Sequence, residues 1–328
     1  MAPGFKAGLD IDLMIKPIAT GSGGSTQFRT RGEPMIRVRK IAHAAFATPD
    51  LDRQVAYYTD ILGLTLVGKD KDAAYLASTL DHHSVVLRTG LQARCTRIAF
   101  QLAPDADLGA FERQVAAHGI KTTRKKDPEP SIPELVSFED PRGTIMEVFR
   151  EHAFSAQAYQ GRGIVPNKLG HVAFHVAGVK KIARFYCDVL GFRESDWMAD
   201  FFAFLRCGPD HHTINLIDTG KAGMHHIAFE LRDWAHIQTA CDFLSLNGYR
   251  LIWGPGRHGI GHNLFAYHRN PDGQIVELFA ELDTMHDEEL GYFEPRPWHR
   301  DRPQKPKVWP RDPSTSNLWG VGPPEEMR

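Results

Sequence analysis

The sequence predicts an α+β chain of two tandem βαβββ modules, each curling round a cavity. Three observations carry that expectation. The first is a duplication. Asp81-His82-His83-Ser84-Val85-Val86-Leu87 returns as Asp210-His211-His212-Thr213-Ile214-Asn215-Leu216, an offset of 129 residues. Tyr57–Gly63 returns as Phe185–Gly191 at 128, and Asp140–Phe149 as Asn270–Phe279 at 130. The second is apolar alternation with period two, as in His171–Val176, which marks half-buried strands. The third is helical spacing between those strands, closed by glycine.

Taken in order, residues 1–37 hold Gly21-Ser22-Gly23-Gly24-Ser25 and little periodic apolar sequence, so they read as a flexible N-terminal arm. Residues 38–150 form module one, 151–165 a linker and 166–283 module two. In module two, His171–Val176 is a strand, and Val179–Leu190 is a helix stopped by Gly191. Phe202–Leu205 and Thr213–Ile217 pair as strands. His226–Leu231 opens the second half, Trp234–Leu246 is its helix, and Asn247-Gly248 ends it. Leu264–Tyr267 and Gln274–Phe279 form a last hairpin around Pro271-Asp272-Gly273. Antiparallel strands with helices on one face leave the other face free to enclose a cavity. Residues 284–328 are rich in Pro, Trp and Arg and resist regular structure. Their tryptophans, Trp298 among them, point to a partner surface on this protein's own body or on another subunit.

The bulk composition excludes several classes of function. The 328 residues carry a net charge of −1 with no basic stripe, so nucleic acid is not an expected partner. The four cysteines are scattered and contain no CxxC pair, which fits reduced thiols in a cytoplasmic protein. No apolar run approaches the ~20 residues of a membrane helix, and the N-terminus has no secretory pattern.

Strand alternation decides which side chains face the cavity. Val172, Phe174 and Val176 make an apolar face, so His171 and Ala173 point the other way. Ile227, Phe229 and Leu231 do the same and place His226, not His225, on the cavity side. Ile275, Glu277 and Phe279 share one face of the last strand. Two histidines and one glutamate thus converge from three strands, a ligand set that leaves open positions on a metal such as iron(II). A buried carboxylate without a partner is costly, which makes Glu277 hard to read as mere packing. Module one carries His43, Arg97 and Glu147 at the corresponding places. Arginine stays protonated and cannot ligate a metal. Arg97 is placed to pair with Glu147, and module one is expected to have lost its metal site and to be structural.

Leu169-Gly170-His171, Met224-His225-His226-Ile227-Ala228-Phe229, Gly254-Pro255-Gly256-Arg257-His258-Gly259, Tyr267 and Gln274-Ile275-Val276-Glu277 make the chain resemble type I extradiol ring-cleavage dioxygenases, which are catechol 2,3-dioxygenase-like enzymes of the vicinal oxygen chelate superfamily. The resemblance covers both modules. It implies that superfamily's glyoxalase-like fold and extradiol cleavage of a catecholic aromatic by O2. The metal would be Fe(II), with Mn(II) as the alternative, held by His171, His226 and Glu277. It also implies His212 as acid and base, with its neighbour His211 as the alternative, and His258 and Tyr267 as hydrogen-bonding partners of the substrate oxygens. A homo-oligomer is the expectation from family habit. The competing readings are a hydroquinone-cleaving dioxygenase and a non-catalytic aromatic-binding protein of the same superfamily. Trp197, Phe201, Phe202 and Trp253 are candidates for the substrate pocket or for core. Arg206 and Arg257 lie near the motifs, as substrate-binding or structural groups. His175 and His225 read as structural, and His236, His262 and His268 as surface residues.

Overall fold

A computed structural model describes residues 34–79, 81–150, 161–296 and 304–327. Most of the expected arm, residues 151–160 of the linker and Trp298 lie outside the described residues. Module one runs β1 (Lys40–Thr48), α1 (Leu51–Ala56), β2 (Thr65–Lys69), β3 (Ala73–Ala77), β4 (Val85–Thr89), β5 (Arg94–Gln101), α2 (Leu108–Ala116), β6 (Thr123–Glu129), β7 (Ile132–Glu139) and β8 (Ile145–Phe149). Module two repeats it as β9 (Lys168–Val176), α3 (Val179–Leu190), β10 (Arg193–Met198), β11 (Phe202–Arg206), β12 (Ile214–Asp218), β13 (Gly223–Glu230), α4 (Trp234–Leu246), β14 (Leu251–Arg257), β15 (Leu264–Arg269) and β16 (Ile275–Ala280). β17 (Met285–Asp287), β18 (Tyr292–Phe293), β19 (Lys307–Trp309) and α5 (Pro313–Ser316) follow.

The duplication holds strand for strand. The first sheet has the order β2-β3-β4-β1-β5-β8-β7-β6. The second has β10-β11-β12-β9-β13-β16-β15-β14, with β19 added beyond β10. The helices follow from local signals. Asp107 caps α2 and Asp233 caps α4 through their carboxylates, and Gly191 ends α3 in the left-handed conformation. Alternation sorts β9, β13 and β16 as expected. Val172, Phe174, Ile227, Phe229, Val276 and Leu278 enter one large core that also takes in Ile41, Phe46, Ile98 and Phe100 of module one. The concave side of each sheet, which we call its cup, keeps the polar residues.

The two modules contact each other reciprocally. The turn Asp140–Gly143 sends Arg142 against module two, where it bonds the Tyr186 hydroxyl and lies 4.0 Å over the Phe174 ring. The matching turn of module two presents Asp272 to Arg53 of α1, 3.0 Å away. Tyr57 of module one meets His268 Nε2 at 2.7 Å. Ile36, counted with the arm, exchanges hydrogen bonds with the Gln114 side chain. Among the described residues, no helix is long and apolar enough to cross a membrane.

Two strands escape the apolar pattern. β10 is polar because Asp196 and Ser195 serve buried partners, and β14 is interrupted by Gly254-Pro255-Gly256. The tail is more regular than its composition suggests. β19 pairs in parallel with β10, and residues 304–327 lie on module two itself.

Candidate metal centre

Sheet register explains why three distant residues meet. Ala228 of β13 is the lateral neighbour of His171 on β9 and of Glu277 on β16. Glu277 in turn neighbours Tyr267 on β15, and Tyr267 neighbours Trp253 on β14. Trp253, Tyr267, Glu277, Ala228 and His171 therefore form one row across five strands. The alanine methyl leaves space in the middle of that row. Into it lean His171 and Glu277 from either side, and His226 from two residues up its own strand.

The three side chains are buried, and their ligand atoms form a near-equilateral triangle. His171 Nε2 is 3.0 Å from Glu277 Oε2, His226 Nε2 is 3.1 Å from it, and the two Nε2 atoms are 3.2 Å apart. For donors about 2.1 Å from a central ion, such separations correspond to angles of roughly 90–100°, the value for one face of an octahedron. The donor set and its spacing therefore fit a divalent iron or manganese ion with open positions opposite. Burial opposes charge on Glu277, but His171, His226 and His258 hold its carboxyl well below the usual carboxylate range. Burial likewise pushes His226 down, so it stands as a neutral imidazole with a lone pair to give.

Hydrogen bonds to backbone carbonyls fix the tautomers. His225 Nε2 lies 2.7 Å from the Met327 carbonyl, which can only accept, so His225 donates there. Its Nδ1 is then an acceptor for His226 Nδ1–H, 2.6 Å away, which frees His226 Nε2 for the ion. Asn263 donates to Glu277 Oε1 at 3.1 Å and so turns Oε2 toward the histidines. Gly170 makes room for this packing, since a Cβ there would come within 2.3 Å of the Phe279 ring that backs His171.

A second group faces the triad. His212 has its ring 4.4 Å from that of His171. His211 turns away, with Nε2 3.0 Å from the Asp196 carboxylate. His211 therefore donates to Asp196 and accepts at Nδ1 from His212 Nδ1–H, at 3.0 Å. That leaves His212 Nε2 unprotonated. Burial, then His171 and His211, keep His212 far below the usual histidine range. Asp196 is itself held by the Trp309 indole and the Lys307 backbone amide of β19.

His258 donates from Nδ1 to the Ser316 carbonyl at 2.6 Å, and the Tyr267 hydroxyl donates to its Nε2 at 3.1 Å. Burial and the nearby Glu277 charge raise Tyr267 well above the usual phenol range. The glycine after His258 lets the tail come close, since a Cβ on Gly259 would lie 2.8 Å from the Ser314 carbonyl.

The structure thus brings His171, His226, Glu277, His212, His258 and Tyr267 together and sets His211 behind His212. Asp196, Asn263 and the Met327 carbonyl complete the site. Sequence alone had singled out none of these three, because each acts through a partner distant in the chain. Of the aromatic candidates, Trp253 stacks on Tyr267 at 5.3 Å and Phe202 stacks on Phe204 beside His212. Trp197 belongs to the main core, and Phe201 lies under Arg311. Arg206 is taken by Glu288 and Arg257 by Glu281. The surface reading of three histidines is corrected. His236, His262 and His268 are buried, bonded to the Ile164 carbonyl, Asp283 and Tyr57 respectively. A single sequence shows no buried partner, so a polar residue outside a strand pattern reads as surface.

The cup of module one is built differently. Arg97 bonds both oxygens of Glu147, at 3.2 and 3.1 Å, as its place in the repeat anticipates. The row there reads Ser137, Glu147, Ala99, His43, with serine where module two has Tyr267. Beside it, His43, His83 and Glu129 form a second buried cluster that the sequence did not announce. Burial opposes charge on Glu129, yet His83, His43 and Arg97 hold it far below the usual carboxylate range.

Comparison with known proteins agrees with this architecture. The family model described as Glyoxalase/Bleomycin resistance protein/Dioxygenase superfamily matches residues 40–148 and again 168–278. The chain belongs to that superfamily. Among curated relatives, it is 28% identical to Metapyrocatechase 2 of Cupriavidus necator, over 77% of this chain and 84% of that protein. It is 26% identical to the manganese-dependent 2,3-dihydroxybiphenyl 1,2-dioxygenase of Geobacillus genomosp. 3, over 83% and 93%. Among solved structures, a Mn(II)-bound glyoxalase from Novosphingobium aromaticivorans superposes with a TM-score of 0.77 at 28% identity, covering 89% of this chain and 94% of that one. Homoprotocatechuate 2,3-dioxygenase from Brevibacterium fuscum shares the fold at a TM-score of 0.77 and 24% identity, over 90% and 92%.

Proposed function

We propose that the C-terminal cup binds a catecholic aromatic and opens its ring beside the two hydroxyls, inserting both atoms of O2 to give a 2-hydroxymuconic semialdehyde type product. The chain is an extradiol dioxygenase, as its named curated relatives are. The observation that carries the reading is the pairing of two sets of groups. A His171–His226–Glu277 face fits Fe(II) or Mn(II), and His212, His258 and Tyr267 stand around it. When bound, the metal supplies Lewis acidity and a common anchoring point for the two reactants.

The protein's own residues do the rest. His212, neutral and with Nε2 unprotonated, takes a proton as the catechol ionises and returns it as the oxygen–oxygen bond breaks. The His211–Asp196 pair behind it stabilises the imidazolium that forms in between. Tyr267 and His258 share one hydrogen bond and meet the substrate oxygen as a unit, with the tail carbonyl of Ser316 holding the His258 ring in place. Trp253 backs Tyr267, so the donor keeps its direction.

The test is anaerobic reconstitution with Fe(II), then air and a panel of catechols and hydroquinones, with absorbance and oxygen uptake recorded. A new yellow product with one O2 consumed per catechol is expected. Hydroquinone turnover without catechol turnover would move the assignment to the hydroquinone-cleaving class. Metal bound with no turnover of either would overturn ring cleavage.

A further inference from the structure

We propose a second metal site, in the cup of module one, formed by His43, His83 and Glu129 and suited to zinc(II) or another dication that accepts tetrahedral ligation. All three residues are buried, at 0, 0 and 6% exposure, and their ligand atoms lie within 4.8 Å of one another. His43 Nε2 is 3.3 Å and His83 Nε2 3.5 Å from the same oxygen, Glu129 Oε2. These separations exceed those of the C-terminal triad. At the roughly 2.0–2.1 Å of zinc–ligand bonds they correspond to angles of roughly 105–120°, close to tetrahedral.

The surroundings orient the ligands. Arg97 Nη2 at 2.5 Å and Arg88 Nη2 at 3.3 Å take the other carboxylate oxygen, Glu129 Oε1, which turns Oε2 toward the imidazoles. His83 uses Nδ1 against His82 Nδ1 at 3.0 Å, so Nε2 is the nitrogen facing Glu129. The set is not a remnant of the duplicated triad. Two members of that triad's counterpart, Arg97 and Glu147, are engaged with each other, and only His43 is shared.

Charge sets the order of filling. Arg97 and Arg88 already balance Glu129 and Glu147, and Lys125 adds a further, partly solvated positive charge. A dication therefore binds this cup more weakly than the C-terminal one, where, among the described residues, no lysine or arginine forms an ion pair with Glu277. Bound there, it ties β1, the segment before β4 and the end of edge strand β6 into one unit. Its role is then to stiffen module one, since the Tyr267 counterpart is Ser137 and the His258 region has given way to Glu129.

The experiment uses the full chain carrying His171→Asn and Glu277→Gln, which removes the C-terminal ligands. Titration with Co(II) should give about one bound ion per chain with the intense visible bands of tetrahedral cobalt, and Zn(II) should raise the melting temperature of the same protein. Adding His83→Asn or, separately, Glu129→Gln should abolish both effects, with circular dichroism checking that each variant is folded. The proposal falls if the doubly substituted chain binds no Co(II) while the unmodified chain binds one equivalent, or if binding survives both added substitutions. Either result leaves ring cleavage at the C-terminal cup intact, since that depends on different ligands.

Discussion

The two cups share one strand order, one register and one central alanine, yet a few positions divide them. Ala228 sits between His171 and Glu277, as Ala99 sits between His43 and Glu147. His226 in one cup is Arg97 in the other, and Tyr267 is Ser137. Asp196, which neighbours Phe204 across β10 and β11, is Gly68, which neighbours Tyr75 across β2 and β3. The paired histidines survive in both, and in the C-terminal cup the Asp196 carboxylate stands behind His211. A cationic side chain fills the position of a metal ligand in one cup, and glycine and serine stand where the other has Asp196 and Tyr267. The scaffold alone does not make the centre; the ligand triangle and the hydrogen bonds behind it do.

The most severe way to break this contrast is to copy module one into module two. His226→Arg should pair with Glu277, exclude Fe(II), and lower ring cleavage by at least about 10³-fold. Metal analysis and oxygen uptake check it, and retained iron would show that two ligands suffice.

A smaller loss is expected at His212. His212→Asn should keep the iron and reduce kcat by about 10²–10³-fold, the usual contribution of a positioned acid and base. Loss of iron would move His212 into the ligand set.

Asp196→Asn tests the group that module one lacks. It should reduce kcat by about 10–100-fold with iron retained, because the His211 donor loses its charged acceptor and His212 Nε2 becomes a weaker base. A weaker base has a lower pKa, so the acid limb of kcat against pH should move to lower pH, which the pH profile of kcat reads.

The gentlest test concerns the joint between the modules. Burial pushes His268 down from 6.5 to about 3 in the folded protein. The unfolded chain takes up a proton as pH falls below about 6.5, and the folded chain does not until about 3. Stability is therefore full above 6.5 and falls by about 1.4 kcal/mol per pH unit between roughly 6 and 4 from this residue alone. Urea denaturation at pH 7 and pH 5 measures it, and His268→Gln should flatten the difference.

Much of this was legible in the residues. The near-constant offset gave the duplication, and period-two alternation chose His226 over His225. Arg97 opposite Glu147 was visible as a mismatch between copies. Less was visible where geometry depends on long-range closure. β10 hides as a strand because its inward residues bind buried partners. Glu129 sits in Asp127-Pro128-Glu129-Pro130, which reads as a turn, and only the curl of the sheet brings β6 against His43 and His83. The tail's carbonyls at Ser316 and Met327 carry no side-chain signature, so their hold on His258 and His225 has no sequence signal.

The central claim is that the chemistry belongs to the C-terminal cup. Its most direct test compares Glu277→Gln with Glu147→Gln, the same change at equivalent positions of the two sheets, by oxygen uptake with catechol after Fe(II) loading. Glu147→Gln should cost stability, up to about 3–5 kcal/mol for a broken buried pair, while folded protein keeps its turnover. Glu277→Gln should abolish turnover. Activity that survives in Glu277→Gln and vanishes in Glu147→Gln would place the centre in module one and contradict the account.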